Sequence, residues 1–362
     1  MSWEKPLICW YQENKRDLPW RRTREAYKVW ISEIMLQQTR VEAVIGYYYR
    51  FLEAFPTLED LAAAPVDTVL KYWEGLGYYS RARNLHKAAC QMVESGGFPH
   101  SYEEIRKLCG IGDYTAGAVW SIAFNQPAAA VDGNVLRVIS RLYALDGDIG
   151  DPKVRRSVGE IVLRHVPVTD AQDYENGPSA YTQALMELGA TVCIPKNPRC
   201  KDCPIPSACL AFAQNRTGEL PVKKKKEKQK MVSRFIAIAE RYNSQTGYRE
   251  VLMHRRPDKG LLRGLWEYPG VDASSPEEMK AAFAAEMGLD IIPEGRLLET
   301  EHVFTHRHWK MQVYQVKLLK GPAESEESFC WASVDRQTEL MIPTAFRKIQ
   351  EFLAEPEQLR LI

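Results

Sequence analysis

The sequence predicts two unlike domains: an all-α half over residues 1–213 and an α/β domain over residues 231–362, joined by a basic linker over residues 214–230. Three observations lead there. At 362 residues the chain exceeds one average domain. Apolar residues recur at helical spacing in the first part and alternate as in strands in the second. Between the two lies a stretch with little to bury.

Composition narrows the class. A hydrophobic content of 45% fills ordinary cores. No apolar run reaches the length of a membrane span, and "MSWEKPLICWYQENKR" lacks a signal-peptide core, so a soluble, intracellular protein with no membrane partner is expected. In a reducing compartment its eight cysteines read as free thiols or metal ligands rather than disulfides. The charge is −1 over residues 1–222, +5 over 223–230 and −3 over 231–362. A nucleic-acid surface must therefore be local, built from clusters such as Arg21, Arg22 and Arg24 or Arg81, Arg83 and Lys87, each of which also reads as a solvated helix face.

Tyr27, Trp30, Ile31, Ile34 and Met35 fall on one helical stripe and leave Glu33 and Leu36 together off it. Val135, Val138, Ile139 and Leu142 repeat the spacing, as do Ala184, Leu185 and Leu188. "SYEEIRKL" opens with Ser101 and Glu104 in capping-box spacing and predicts a short helix. The "GIG" of "LCGIGDYTAGAV" then turns into a second helix that starts near Asp113. Gly110 and Gly112 allow backbone angles closed to other residues and let a partner approach, while the amides of the next helix favour an anion such as phosphate. A plain tight turn accounts equally well for these features.

"QNRTGELPVKKKKEKQK", with six lysines in its last eight residues, reads as an exposed linker. Beyond it "RFIAIAE" and "WKMQVYQV" alternate as strands, "PEEMKAAFAAEMG" predicts a helix led by Pro276, and "AFRKIQEFLAE" a closing helix.

Cys193, Cys200, Cys203 and Cys209 lie within 17 residues at C-x6-C-x2-C-x5-C spacing. Four thiolates so close suit tetrahedral zinc or an iron-sulfur cluster, and spacing alone does not choose.

The hairpin, followed after ten residues by "AVDGNV", resembles the helix-hairpin-helix and catalytic aspartate of the endonuclease III superfamily of DNA glycosylases. Bifunctional members of that superfamily carry a lysine where Tyr114 stands. The tyrosine, together with "DLPWR", "SEIMLQQTRVE", "WEGLGYYSRARNLH" and "VDGNVLRVISRL" in matching order, resembles the adenine DNA glycosylase (MutY) family.

That resemblance implies an all-α helix-hairpin-helix glycosylase fold, with a six-helix part over residues 18–131 and a helical part formed by 1–17 and 132–213. A C-terminal α/β Nudix-like domain follows. It implies a monomeric, monofunctional enzyme of base-excision repair in the cytoplasm, acting on chromosomal DNA and releasing adenine mispaired with 8-oxoguanine or guanine in duplex DNA. The alternative is a pyrimidine-mismatch or damaged-pyrimidine glycosylase on the same fold. The four cysteines are implied to bind a 4Fe-4S cluster, beside Lys196, Arg199 and Lys201.

Breaking an adenine glycosidic bond leaves positive charge on the sugar and negative charge on the base, so the site needs a proton donor and an anion. Glu33 is the candidate acid. By periodicity it also reads as an exposed helix glutamate, and the "SEIMLQQT" context selects the catalytic role. Asp132 is the candidate anion, and "DGN" is a good helix cap as well. The resemblance implies Tyr114 and Asn134 beside Asp132 and a reaction that retains configuration. It implies an adenine pocket of Trp20, Arg21, Leu36, Gln183 and Met186, with Gln38, Thr39 and Tyr78 near the oxidised guanine of a flipped pair.

In the Nudix-like part, only Glu286 remains of the metal-binding glutamates, with Ala281, Ala282 and Ala285 in place of charged residues. Pyrophosphatase activity is therefore not expected. Phe304, Thr305 and His306 correspond to a family Phe-Ser-His loop implied to recognise 8-oxoguanine. Threonine keeps the hydroxyl and adds a methyl group.

Overall fold

The computed structural model describes residues 2–168, 177–224, 229–322 and 327–355. It divides into two compact units, Met1–Lys225 and Lys226–Ile362. Among the described residues, no helix is long and apolar enough to cross a membrane.

The first unit is helical: α1 (Glu4–Asn14), α2 (Ala26–Leu36), α3 (Val41–Ala54), α4 (Leu58–Ala63), α5 (Val66–Trp73), α6 (Ser80–Glu94), α7 (Tyr102–Lys107), α8 (Asp113–Ile122), α9 (Gly133–Leu142), α10 (Pro152–Arg164), α11 (Gly177–Thr191) and α12 (Leu210–Ala213). Residues 18–131 hold seven of these, α2 to α8, where six were expected. The extra break is chemical: Ala64 and Pro65 leave helical angles between α4 and α5, and proline disfavours helix in the residue before it. Buried Trp30, Phe51 and Trp73 mark the core of this part. α1 does not join it. Its Trp3, Leu7, Ile8 and Tyr11 pack instead with Val135, Ile139 and Leu142 of α9 and with Tyr181, Leu185 and Leu188 of α11.

Caps set the helix ends. Ser101 Oγ accepts from Glu104 N–H, so the forward half of the expected capping box forms. Asp132 caps α9 by accepting from Val135 N–H, and Asp151 caps α10 ahead of Pro152.

The expected linker begins later than its composition predicts. Leu220 is 2% exposed and its carbonyl accepts from the buried Arg141 guanidinium, while Ile149 N–H donates to Val222 O. One apolar side chain and two backbone carbonyls thus tie the end of residues 214–222 to the helical unit. Residues 225–228 of the lysine run lie outside the described residues.

The second unit comprises β1 (Lys230–Asn243), β2 (Tyr248–Arg255), β3 (Trp266–Glu267), β4 (Gly270–Asp272), α13 (Pro276–Met287), β5 (Asp290–Val303), β6 (Arg307–Lys320), β7 (Phe329–Ala332), α14 (Val334–Glu339) and α15 (Arg347–Ala354). The sheet is mixed, in the order β3-β2-β1-β6-β5, with β4 on β1 and β7 on β2. Among the described residues its one parallel pair is β1 with β6, in register from Lys230 opposite Arg307 to Ala239 opposite Val316. Alternation along β1 feeds two cores. Ile236 and Ile238 pack with Phe346, Ile349 and Leu353 on the α15 side, and Phe235, Ala237 and Ala239 with Met279 and Phe283 of α13.

Candidate active site

Within the helical unit, a pocket of about 190 Å³ brings together Trp20, Arg21, Glu33, Leu36, Thr39, Tyr114, Asp132, Asn134, Gln183 and Met186. These residues come from α2, α8, α9 and its cap, α11 and the turns before and after α2. The stripe that placed Glu33 and Leu36 off the apolar face of α2 thus aimed both at this pocket. Glu33 is no surface residue, being 5% exposed.

Tyr114 donates its hydroxyl hydrogen to Glu33 Oε2 at 2.6 Å. The tyrosine expected beside Asp132 is therefore bonded to the acid. Burial is the main influence on Glu33 and lifts its pKa to about 7. The Tyr114 bond opposes the rise, the Asp132 charge adds to it, and Arg21 opposes it. Near neutral pH this side chain is poised to hold or release a proton.

Asp132 accepts from Val135 N–H at 2.7 Å through Oδ1 and from Asn134 Nδ2 at 2.8 Å through Oδ2. Burial raises its pKa, and these two bonds oppose the rise. Asn134 Oδ1 in turn accepts from Arg137 Nη2 at 2.8 Å, and Arg137 also donates to the carbonyls of Gly189 and Cys193. α11 can come this close because position 189 has no side chain: a Cβ there would lie 2.5 Å from Asn134 Cβ.

Two charged residues of the pocket wall gave no sequence signal, Arg16 and Glu187. Glu187 has a fully buried side chain and accepts from Arg16 Nε and Nη2 and from Arg21 Nη2 at 2.8–2.9 Å. Burial alone would raise its pKa, but the two guanidinium groups prevail and hold it at about 2. The Arg21 guanidinium also lies 5.5 Å from the centre of the Tyr11 ring, and the Tyr11 hydroxyl donates to Gln183 Oε1.

In the hairpin between α7 and α8, the two glycines do different work. Gly110 has φ +75°, and a Cβ there would lie 2.6 Å from Asn84 Cβ, so the fold itself requires glycine. Gly112 has extended angles and nothing within 4 Å of an added Cβ, so its bareness leaves space outside the protein's own packing.

Gln38 (φ 59°) and Tyr78 (φ 48°) are non-glycine residues in the left-handed region. Both are exposed, and Thr39 is partly buried. Arg81 lies beneath both turns. It donates to the carbonyls of Ile34, Met35 and Gln37 on one side and of Leu76 and Gly77 on the other. Of the basic cluster Arg81, Arg83 and Lys87, Arg81 is thus a half-buried fastening rather than a solvated charge, while Lys87 is exposed.

Cys193, Cys200, Cys203 and Cys209 line one small cavity of about 30 Å³ together with Arg141, whose Nη1 lies 3.3 Å from Cys193 Sγ. Among the described residues, no group of three or more His, Cys, Asp or Glu side chains is arranged to hold a single metal ion. Four cysteines lining one space form a thiolate donor set of the kind that zinc or an iron-sulfur cluster takes.

In the second unit, Phe304 stacks edge-on against Trp309 at 4.8 Å and against His302 at 4.6 Å, while Thr305 and His306 are exposed. The end of the linker holds this turn: Gln229 Nε2 donates to Phe304 O, and Lys230 N–H to His306 O. Glu286 is exposed on α13 with Ala281, Ala282 and Ala285 nearby in sequence.

The fold and the pocket define a DNA glycosylase of the helix-hairpin-helix class carrying a Nudix domain. Residues 31–163 match the HhH-GPD superfamily base excision DNA repair proteins, and residues 244–351 match the NUDIX domain. The chain is 36% identical to the adenine DNA glycosylase of Arabidopsis thaliana, over 96% of this chain and 63% of that one, less than two thirds of the plant protein's length. It is 35% identical to that of Mus musculus over 95% and 76%, and 32% identical to that of Schizosaccharomyces pombe over 90% and 84%. A solved thermostable thymine-DNA glycosylase, 27% identical, covers 58% of this chain and 95% of its own with a TM-score of 0.50. The chain belongs to the adenine DNA glycosylase family.

Proposed function

We propose that this protein excises adenine paired with 8-oxoguanine or guanine in duplex DNA, with Glu33 as general acid and Asp132 as the anion facing the sugar. The observation that carries this reading is a buried glutamate with pKa near 7 in the same pocket as a capped, hydrogen-bonded aspartate.

A stacked base cannot reach such a pocket, so the adenine is flipped into it, between Trp20, Leu36 and Met186 and within reach of Arg21 and Gln183. Protonated Glu33 gives its proton to a ring nitrogen of the purine. The glycosidic bond then breaks, and its electron pair leaves with the now neutral base. The Asp132 carboxylate stabilises the cationic sugar from a site that excludes bulk water. Water adds at the anomeric carbon, and its proton passes to a carboxylate of the pocket. Tyr114 offers no amine for a Schiff base, so the strand stays intact.

The hairpin amides beyond Gly112 hold a DNA phosphate. Gln38, Thr39 and Tyr78 in the helical unit, and Phe304, Thr305 and His306 in the Nudix unit, read the oxidised guanine. Cys193, Cys200, Cys203 and Cys209 hold a 4Fe-4S cluster that, when bound, orders the segment carrying Lys196, Arg199 and Lys201. Iron and sulfide content of the purified protein, lost in Cys203→Ser, tests that assignment.

The decisive experiment offers single-turnover amounts of protein a set of duplexes with adenine opposite 8-oxoguanine, guanine or thymine, and also a thymine:guanine mismatch. Adenine release in the order 8-oxoguanine, guanine, thymine is expected, without strand cleavage before alkali. Release of thymine in place of adenine would support the pyrimidine-glycosylase alternative.

A further inference from the structure

A pocket that depends on a neutral acid also holds Arg21, whose positive charge lowers the proton affinity of Glu33. We propose that Glu187 is a positioning residue for base release: it anchors Arg21 in the pocket wall and cancels the guanidinium field that would otherwise strip the proton from Glu33. The proposal rests on Glu33 being the acid.

Geometry carries the argument. Glu187 lies one helical turn beyond Gln183 on α11, on the same pocket wall. Its carboxylate has no exposed surface, and Oε2 accepts from Arg21 Nη2 at 2.8 Å. The other guanidinium on Glu187, Arg16, is 36% exposed and therefore screened by solvent, whereas Arg21 is 11% exposed. Arg21 Nη1 donates to Arg16 O, so its position is fixed from both ends.

The charged and titratable groups acting on Glu33 are Tyr114 from α8, Asp132 from the cap of α9, and Arg21 from the turn before α2. Those acting on Glu187 are Arg16 and Arg21, and it acts in turn on Tyr11. Arg21 is the charged group common to both carboxylates. A buried ion pair is weak evidence for stability as such, and hydrophobic replacements often serve a core as well. A charge retained beside a proton donor has a use that a core residue does not.

The test is the pH dependence of single-turnover adenine release from an A:8-oxoguanine duplex by the full chain. The wild-type rate is expected to fall on the alkaline side with a midpoint near the Glu33 value of about 7. Glu187→Gln is expected to move that midpoint down by about one pH unit, because an opposite charge left uncompensated at this range shifts a carboxyl by that order. Glu187→Asp keeps the charge and the midpoint. Arg21→Met moves it up, and the double variant Glu187→Gln/Arg21→Met returns it above the Glu187→Gln value.

A Glu187→Gln midpoint equal to wild type overturns the inference, as does a double variant still displaced downward. If Glu187→Gln does not fold, Arg21→Met decides, since Glu187 then still pairs with Arg16, and an unmoved midpoint overturns the proposal. Loss of the alkaline limb with Glu33→Gln, tested in parallel at the residual rate, verifies the underlying assignment. A limb that survives that substitution removes Glu33 as the acid, a failure distinct from those above.

Discussion

The Tyr114 hydroxyl and the Glu33 carboxylate, 81 residues apart in sequence, meet at 2.6 Å. The contact does two things at once. It orients the acid toward the pocket, and it lowers the proton affinity that burial raises. Tyr114→Phe removes both effects. The alkaline midpoint of adenine release should rise above about 7, while release at pH 6 falls about tenfold through lost orientation. Single-turnover profiles of the two proteins check this, and an unchanged midpoint counts against the bond.

Glu33→Gln should bind an A:8-oxoguanine duplex and release adenine about 10²–10⁴-fold more slowly, the usual range for loss of a positioned acid. Gel-shift and quenched-turnover measurements on one preparation separate binding from chemistry. Normal release would take Glu33 out of the reaction.

The same residue links activity to stability. Its folded pKa of about 7 exceeds the ordinary 4.5, so between those values the folded state binds more protons than the unfolded one. Its contribution to stability is complete below about 4.5 and is lost as pH rises through about 7. Glu33→Gln should be more stable than wild type at pH 8 by about 3 kcal/mol, with the gap closing toward pH 4.5. Denaturant melts of the helical unit at several pH values check the sign.

The two hairpin glycines should respond differently to alanine. Gly110→Ala meets Asn84 and a left-handed backbone and should destabilise by about 1 kcal/mol or more. Gly112→Ala should fold as wild type yet bind duplex DNA several-fold more weakly, because the added methyl occupies space outside the protein's own packing. Melting curves and duplex titrations at fixed salt tell the two apart.

Thr305→Ala leaves the Phe304 contact with Trp309 and removes a hydroxyl from an exposed turn. The ratio of adenine release opposite 8-oxoguanine to that opposite guanine should fall several-fold. A constant ratio would show that this hydroxyl does not read the lesion.

Much of the site was legible because its residues sit on regular elements. Helical period alone put Glu33 beside Leu36, and the cap preference of Asp132 announced the start of α9. What stayed hidden depends on distant partners. Glu187 in "ALMELGA" looks like any polar helix position, and only Arg16 and Arg21, 171 and 166 residues earlier, explain its burial. Arg81 looked solvated for a similar reason, since backbone carbonyls that accept from a side chain leave no mark in sequence. The linker was read too long because composition registers lysines and cannot register one carbonyl, that of Leu220, docked on Arg141.

Gly189 never meets the pocket, yet its missing side chain decides how near the Asn134 backbone may lie to α11. Any larger residue there would wedge two helices apart and swing the Asp132 partner out of register, so a lesion in turnover could arise from a substitution that alters no chemically reactive group. Such a variant would look healthy in a duplex-capture assay and reveal itself only once the clock runs on bond cleavage.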